Sequence, residues 1–174
     1  LRGSRLMFER MLSKRLDFGS IKPSHIFYME PDAIPIRPNW LEGINQQVVF
    51  PNAKFWVKGS IFRGEMKFIT TNLIFNHIHI NGNAIYNLED EIFEKFYFEI
   101  LRPFIKKHFK NEGAYDADIF KLLLWKNGTF TAELFHLFQF SDFIQNYWHS
   151  QYSLSEIRKN SPNTFLVHGG QALE

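Results

Sequence analysis

HIFYMEPDAIPIRPNWL, residues 25 to 41, decides how this chain is read. HIFYME (25–30) is rich in β-formers and lies between Pro23 and Pro31, so it reads as a short buried strand. Glu30 and Asp32 stand at its C-terminal end. Alternate residues of a strand share a face, so these two carboxylates can converge on one ligand. Pro31, Pro35 and Pro38 stiffen the chain that follows, and a preset backbone holds the carboxylates without further ordering cost. The end of a parallel strand in an open α/β sheet is where such folds present ligands, and paired hard oxygens there suit Mg²⁺ or Mn²⁺ bridging phosphates. A surface turn in which Asp32 merely caps is the ordinary alternative for an isolated Glu-Pro-Asp.

Outward from this stretch, helices and strands alternate. RLMFERMLSKRL (5–16) is a helix closed by DFGS, and PNWLEGINQQVVF (38–50) is a short helix packing back on the sheet. KFWVKGSIFRG (54–64) is a strand that breaks at Gly59, and FITTNLIFNHIHING (68–82) is β-rich and ends in the tight loop Asn81-Gly82-Asn83. LEDEIFEKFYFEILRPFIKKHF (88–109) is a long amphipathic helix with a kink or break at Pro103. YDADIFKLLLWKNG (115–128) is a helix opened by acids and ended by Gly128. SDFIQNYW (141–148) and SLSEIRKN (153–160) read as further helical segments, and TFLVHGG (164–170) as a closing strand. The alternation argues for one α/β domain over residues 1–174.

Composition bounds the function. The chain has 174 residues, 45% of them hydrophobic and 17% aromatic with 20 Phe, enough for one core built on large rings. Twenty basic and 18 acidic residues are spread along it, and the longest basic cluster is KKHFK (106–110), so nucleic acid is not an implied partner. There is no cysteine, which excludes disulfides and thiolate metal sites and leaves carboxylates and histidines as ligands. No apolar run reaches the length of a membrane span.

Other groups could join the carboxylates. VHGG puts His168 at the end of an apolar strand, and YDAD puts Asp116 and Asp118 at a helix start. Each has an ordinary structural use, but their order along the chain carries weight. Lys58 and Arg63, near Gly59, could contact phosphate, and of the four tryptophans Trp56 is the one expected to stack on a sugar. His77 and His79 have the spacing of a strand metal pair, and His79 adjoins the Asn81-Gly82-Asn83 loop as an acceptor contact. Asn127-Gly128-Thr129 matches a glycosylation sequon.

Taken together, FYMEPDAIPIRPNWL, HINGNAIY and NTFLVHGG resemble a glycosyltransferase of the GT-A type, a nucleotide-diphospho-sugar transferase, from about residue 20 onward. The three stretches stand where such enzymes carry an acidic D-x-D-like motif, a Gly-bearing donor and acceptor loop, and a late metal-binding His. The resemblance implies a Rossmann-like sheet flanked by helices, N-terminally incomplete here, since only about two dozen residues precede the acidic strand. It implies Asp32 and His168 as ligands of Mn²⁺ or Mg²⁺, with Glu30 assisting or touching the donor ribose. Gly82 and Asn83, beside Asn81, would let backbone approach the sugar, and Asp118 or Asp116 would deprotonate the acceptor hydroxyl, with inversion. The partners would be a nucleotide-sugar donor and a glycan or other hydroxyl-bearing acceptor. The acidic motif departs from the pattern, as Glu-Pro-Asp in place of D-x-D. Two other readings stay open: a non-catalytic sugar or nucleotide-sugar binding module, and an unrelated α/β metal hydrolase of phosphate esters.

Overall fold

Phe8, Met11 and Leu12 fall on one side of the first helix, α1 (Arg2–Leu12), and all three are buried. Phe8 stacks on Tyr115 at 4.2 Å between ring centroids and meets Tyr86 and Tyr97 edge-on, so this helix is part of the main core. The computed structural model describes residues 2–64, 77–109, 113–125 and 129–173.

The strands are short and form small mixed sheets. The first has four strands in the order β1 (His25–Phe27), β4 (Ala84–Asn87), β3 (Val57–Gly59), β5 (Phe138–Phe140). β4 runs antiparallel to both β1 and β3, and β3 runs parallel to β5. Alternation along β4 sends Tyr86 into the main core and Ile85 to a second core with Phe27, Phe143, Ile144 and Leu166. Both faces of this sheet are therefore covered, which explains why β4 is apolar without a polar face.

A second sheet has the order β2 (Ala33–Pro35), β8 (Leu166–His168), β6 (Ile144–Asn146), with β2 antiparallel and β6 parallel to β8. Pro35 lies on an edge strand, where a missing N–H does least harm. β7 (Gln151–Tyr152) pairs with β9 (Gln171–Ala172) in parallel. The α/β class is thus as expected, but the single sheet is not: the chain is divided among separate small sheets.

Several expectations change with it. HIFYME is not a buried parallel strand but a half-buried antiparallel strand at a sheet edge, three residues long. Residues 141–148 are not a helix, because Ile144–Asn146 is a strand. The polar Gln145 and Asn146 are buried and hydrogen-bonded to side chains of neighbouring segments. His77 and Ile78 are helical, so the strand spacing of His77 and His79 does not hold, and 65–76, most of the expected β-rich run, lie outside the described residues.

The helix α2 (Trp40–Val49) forms as expected, and so does the last one, Leu154–Asn160. Ser153 caps the latter by accepting the Glu156 N–H at 3.2 Å. The long helical stretch is composite: Glu91–Lys95 is α-helical, Phe96–Leu101 π-helical and Arg102–His108 α-helical. It passes Pro103 without a break, the wider π turn lying just before the residue that lacks an N–H. The following helix, Tyr115–Leu123, stops short of Gly128. That glycine and Asn127 of the sequon lie outside the described residues. Among the described residues, no helix is long and apolar enough to cross a membrane.

Candidate metal centre

Glu30 and Asp32 converge through a turn, not along a strand. The Ala33 N–H donates to the Glu30 carbonyl at 3.0 Å, closing a β-turn with Pro31 at its second position, where a fixed φ is favourable. This turn carries the chain from β1 of one sheet to β2 of the next. The register of β2 then pairs Ala33 with His168, and the Gly169 N–H donates to the Asp32 carbonyl at 3.3 Å. Turn and register together bring His168 Nε2 to 3.1 Å from Glu30 Oε2 and 3.2 Å from Asp32 Oδ1. The three ligand atoms all lie within 4.8 Å of one another. His168 is buried, Glu30 is partly covered, and the Asp32 side chain is 60% exposed.

The neighbours decide which way the imidazole faces. In the parallel pairing of β6 with β8, Asn146 stands beside His168, with its Oδ1 3.1 Å from Nδ1. The same oxygen accepts the Trp148 backbone N–H at 3.1 Å, which identifies it as the carbonyl end of the amide. His168 Nδ1 must therefore carry the proton it donates. Nε2 is left facing the two carboxylates, the arrangement of an imidazole ligand whose other nitrogen is held by a hydrogen bond.

Glu30 is held from the other side. Asn83 Nδ2 donates to its Oε2 at 2.9 Å, and the Glu30 backbone N–H donates to Asn83 Oδ1 at 2.7 Å. Asn83 is itself fixed by Asn81, whose Oδ1 accepts both the backbone and side-chain amides of Asn83. The hydrogen bond from His168 holds the Glu30 carboxyl below its usual range, against a partial burial that alone would raise it.

This donor set fits a divalent cation. Neighbouring ligand atoms of an octahedral ion with bonds of about 2.1 Å stand roughly 3 Å apart, close to the spacing of the two carboxylate oxygens from Nε2. Two carboxylates favour a hard ion, and the imidazole moves the preference from Mg²⁺ toward Mn²⁺ and the later transition metals. Exposure of Asp32 leaves room for ligands from outside the protein.

The remaining residues singled out in the sequence divide into those near this centre and those elsewhere. Asp116 lies behind it: its carboxylate is 3.3 Å from His79 Nε2 and accepts the Ala117 and Gly82 N–H groups. Burial alone would raise its pKa, but His79 and the two N–H groups outweigh burial and hold it low. Gly82 is under the Tyr115 ring, where a Cβ would come within 2.5 Å of the hydroxyl. Asp118 points away. Arg5 Nη2 reaches its Oδ2 at 2.6 Å and Lys121 Nζ its Oδ1 at 2.7 Å, and its side chain is 3% exposed. It fastens α1 to the helix Tyr115–Leu123.

Trp56 is core, 2% exposed, stacked on Phe93 and donating its indole N–H to Asp90 at 2.7 Å. Asp90 in turn caps the helix that begins at Glu91. Gly59 is a packing position, since a Cβ there would sit 2.8 Å from both Ala84 Cβ and Ile80 Cγ2. The Lys58 ammonium is buried on the Gln47 carbonyl, and burial lowers its pKa. Arg63 pairs with Asp142 on the surface. None of these four touches the Glu30, Asp32 and His168 group, whereas Asn81 and Asn83 are joined to it through Glu30. Asn146 escaped notice because the stretch that holds it reads as a helix with no feature to mark a ligand's neighbour, and Trp148, one of the four tryptophans weighed, was passed over in favour of Trp56.

A cleft of about 520 Å³, lined by Lys14, Phe18, Lys22, Ser24 and Glu89 among others, includes no residue of the centre. Compared with protein-family models, with curated proteins and with solved structures, the chain matches none.

Proposed function

We propose that this chain is a GT-A-type glycosyltransferase domain that binds a nucleotide-diphosphate sugar through Mn²⁺ or Mg²⁺ and transfers the sugar, with inversion, to an acceptor hydroxyl. The observation that carries the reading is the meeting of Glu30 and Asp32 with His168 from the far end of the chain. An ion held there by these three side chains would neutralise charge developing on the departing diphosphate.

The protein's own groups account for the remaining steps. Asn81 and Asn83 set the Glu30 carboxylate, and Asn146 sets the His168 tautomer, so the ligands are organised before anything binds. Exposed Asp32 marks the open side on which donor and acceptor would lie. Of the two candidate bases, Asp116 is the better. It is hydrogen-bonded to the Gly82 loop and close enough to Glu30 for their charges to interact, and it stays ionised at neutral pH. The base role of Asp118 is not retained, because both of its oxygens are held by cations.

A second reading, a non-catalytic nucleotide-sugar binding module, has one observation in its favour: the Asp116 side chain is 10% exposed and its carboxylate is already held by His79 and the Ala117 and Gly82 N–H groups. Calorimetric titration with Mn²⁺ and UDP or GDP tests the shared part of both readings. Metal-dependent binding that disappears in Asp32→Ala and weakens at least tenfold in His168→Ala is expected. Unchanged binding in Asp32→Ala would remove the metal assignment. Turnover of a nucleotide sugar that Asp116→Asn abolishes would then favour the enzyme over the module.

A further inference from the structure

Trp148 is 52% exposed, unusual for the largest apolar side chain, and it is attached to the centre by its backbone. Its N–H donates to Asn146 Oδ1, the oxygen that also takes His168 Nδ1. On the other side it meets Gly169, at φ +62°, where any Cβ would lie 3.2 Å from Trp148 Cα and 3.7 Å from Asp32 Oδ2. One small space thus separates the Trp148 backbone from the most exposed ligand of the centre.

The loop is built to hold its shape. His149 takes φ +58°, a left-handed conformation uncommon outside glycine, and its ring lies against the Trp148 indole at 4.3 Å between centroids. Ser150 closes the turn by donating its N–H to the Tyr147 carbonyl at 2.6 Å, and Gly170, at φ +75°, lies against the Ser150 and Tyr147 carbonyls. A left-handed residue other than glycine persists where the surroundings over-determine it.

We infer that Trp148 is the platform on which a pyranose ring stacks when its bearer binds at the Glu30, Asp32 and His168 centre, an inference that rests on the proposed sugar-transfer reading. An indole face receives the C–H face of a sugar ring, and the fixed loop presents it without further ordering. The tryptophan expected to do this from the sequence, Trp56, is sealed in the core.

The test uses the whole chain as wild type, Trp148→Ala and Trp148→Phe. Each is titrated with Mn²⁺ alone, with Mn²⁺ plus UDP or GDP, with UDP-glucose and GDP-mannose, and with the methyl glycosides of glucose, galactose and mannose, read by calorimetry and tryptophan fluorescence. Expected are Mn²⁺ and diphosphate affinities within twofold across the set. Affinity for at least one sugar-bearing probe should fall roughly three- to tenfold in Trp148→Ala and recover in part in Trp148→Phe. Loss confined to nucleotide sugars assigns the platform to the donor ring, and loss confined to glycosides assigns it to the acceptor ring. Equal affinity of Trp148→Ala for every sugar probe, with Mn²⁺ still bound, overturns the platform and leaves the centre standing. Loss of Mn²⁺ binding in Trp148→Ala makes the residue a strut of the centre and overturns the platform. A wild type that binds neither Mn²⁺ nor diphosphate removes both.

Discussion

Replacing Asp118 with Asn removes a charge and keeps a shape, and it separates structure from chemistry at the helix that carries both aspartates. Asp118 is the shared anion of Arg5 and Lys121, with side-chain exposures of 3, 7 and 16%. Taking one partner from a buried ion pair costs about 3–5 kcal/mol, chiefly because the other charge stays buried and uncompensated. Lys121 is the least covered of the three and can turn toward water, which favours the lower end of that range. For a chain of this size each kcal/mol shifts the melting temperature by about 2–4 °C, so the expected loss is roughly 6–12 °C. Thermal melts followed by circular dichroism at pH 7 measure it, with Mn²⁺ titration of the folded variant in parallel. Metal affinity should stay within about twofold, because Asp118 faces away from Glu30, Asp32 and His168. The double variant Arg5→Met, Asp118→Leu should recover much of the stability, since replacing both partners by apolar groups is often neutral. A melting temperature within about 2 °C of wild type in Asp118→Asn would refute the claim that this aspartate fastens α1 to its neighbour.

Asn146→Ala removes the acceptor of the His168 Nδ1 proton and of the Trp148 N–H in one step, and metal affinity by calorimetry should drop about 10- to 100-fold while all three ligands remain; undiminished affinity would show that His168 needs no orienting partner. Glu30 has a folded pKa held below its ordinary value of about 4.3, so its contribution to stability is present above that pH and is lost as pH falls through the lower folded value. Glu30→Gln should therefore flatten the acid side of the melting-temperature profile below about pH 4.3 relative to wild type, leaving the part owed to Asp116. Parallel acid limbs in the two proteins would count against the ionised Glu30 and His168 pair.

The sequence made Glu30, Asp32 and His168 legible because each adjoins a strong local signal: prolines in the first case, an apolar strand ending in Gly-Gly in the second. Their meeting was legible only as an analogy, since the β2 to β8 pairing that delivers it has a long sequence separation and one partner, Ala33–Pro35, carries a proline that argues against a strand. Asp116 and Asp118 could not be told apart for a different reason. Two positions along a helix point to nearly opposite sides, and which side faced the site depended on Arg5, more than a hundred residues away. Trp56, expected to reach a sugar, is in the core through the same gap, as its exposure is decided by the sheet it enters and not by its neighbours in the chain. Residues 141–148 show the limit of periodicity: the stretch reads as a helix, and the partners that make Gln145 and Asn146 buried strand residues lie elsewhere in the chain.

The turn from Glu30 to Ala33 spans the two larger sheets, and its partner His168 belongs to the last strand but one of the chain. The centre consequently cannot exist in any partly folded form that lacks the C-terminal strands, however complete the aromatic core around Phe8 has become. Contacts between such distant stretches form late, after most of the chain's entropy has been surrendered. A cation bound there would act as a latch on the finished topology, slowing its opening without hastening its assembly. Nascent chains would stay blind to metal until synthesis had passed His168.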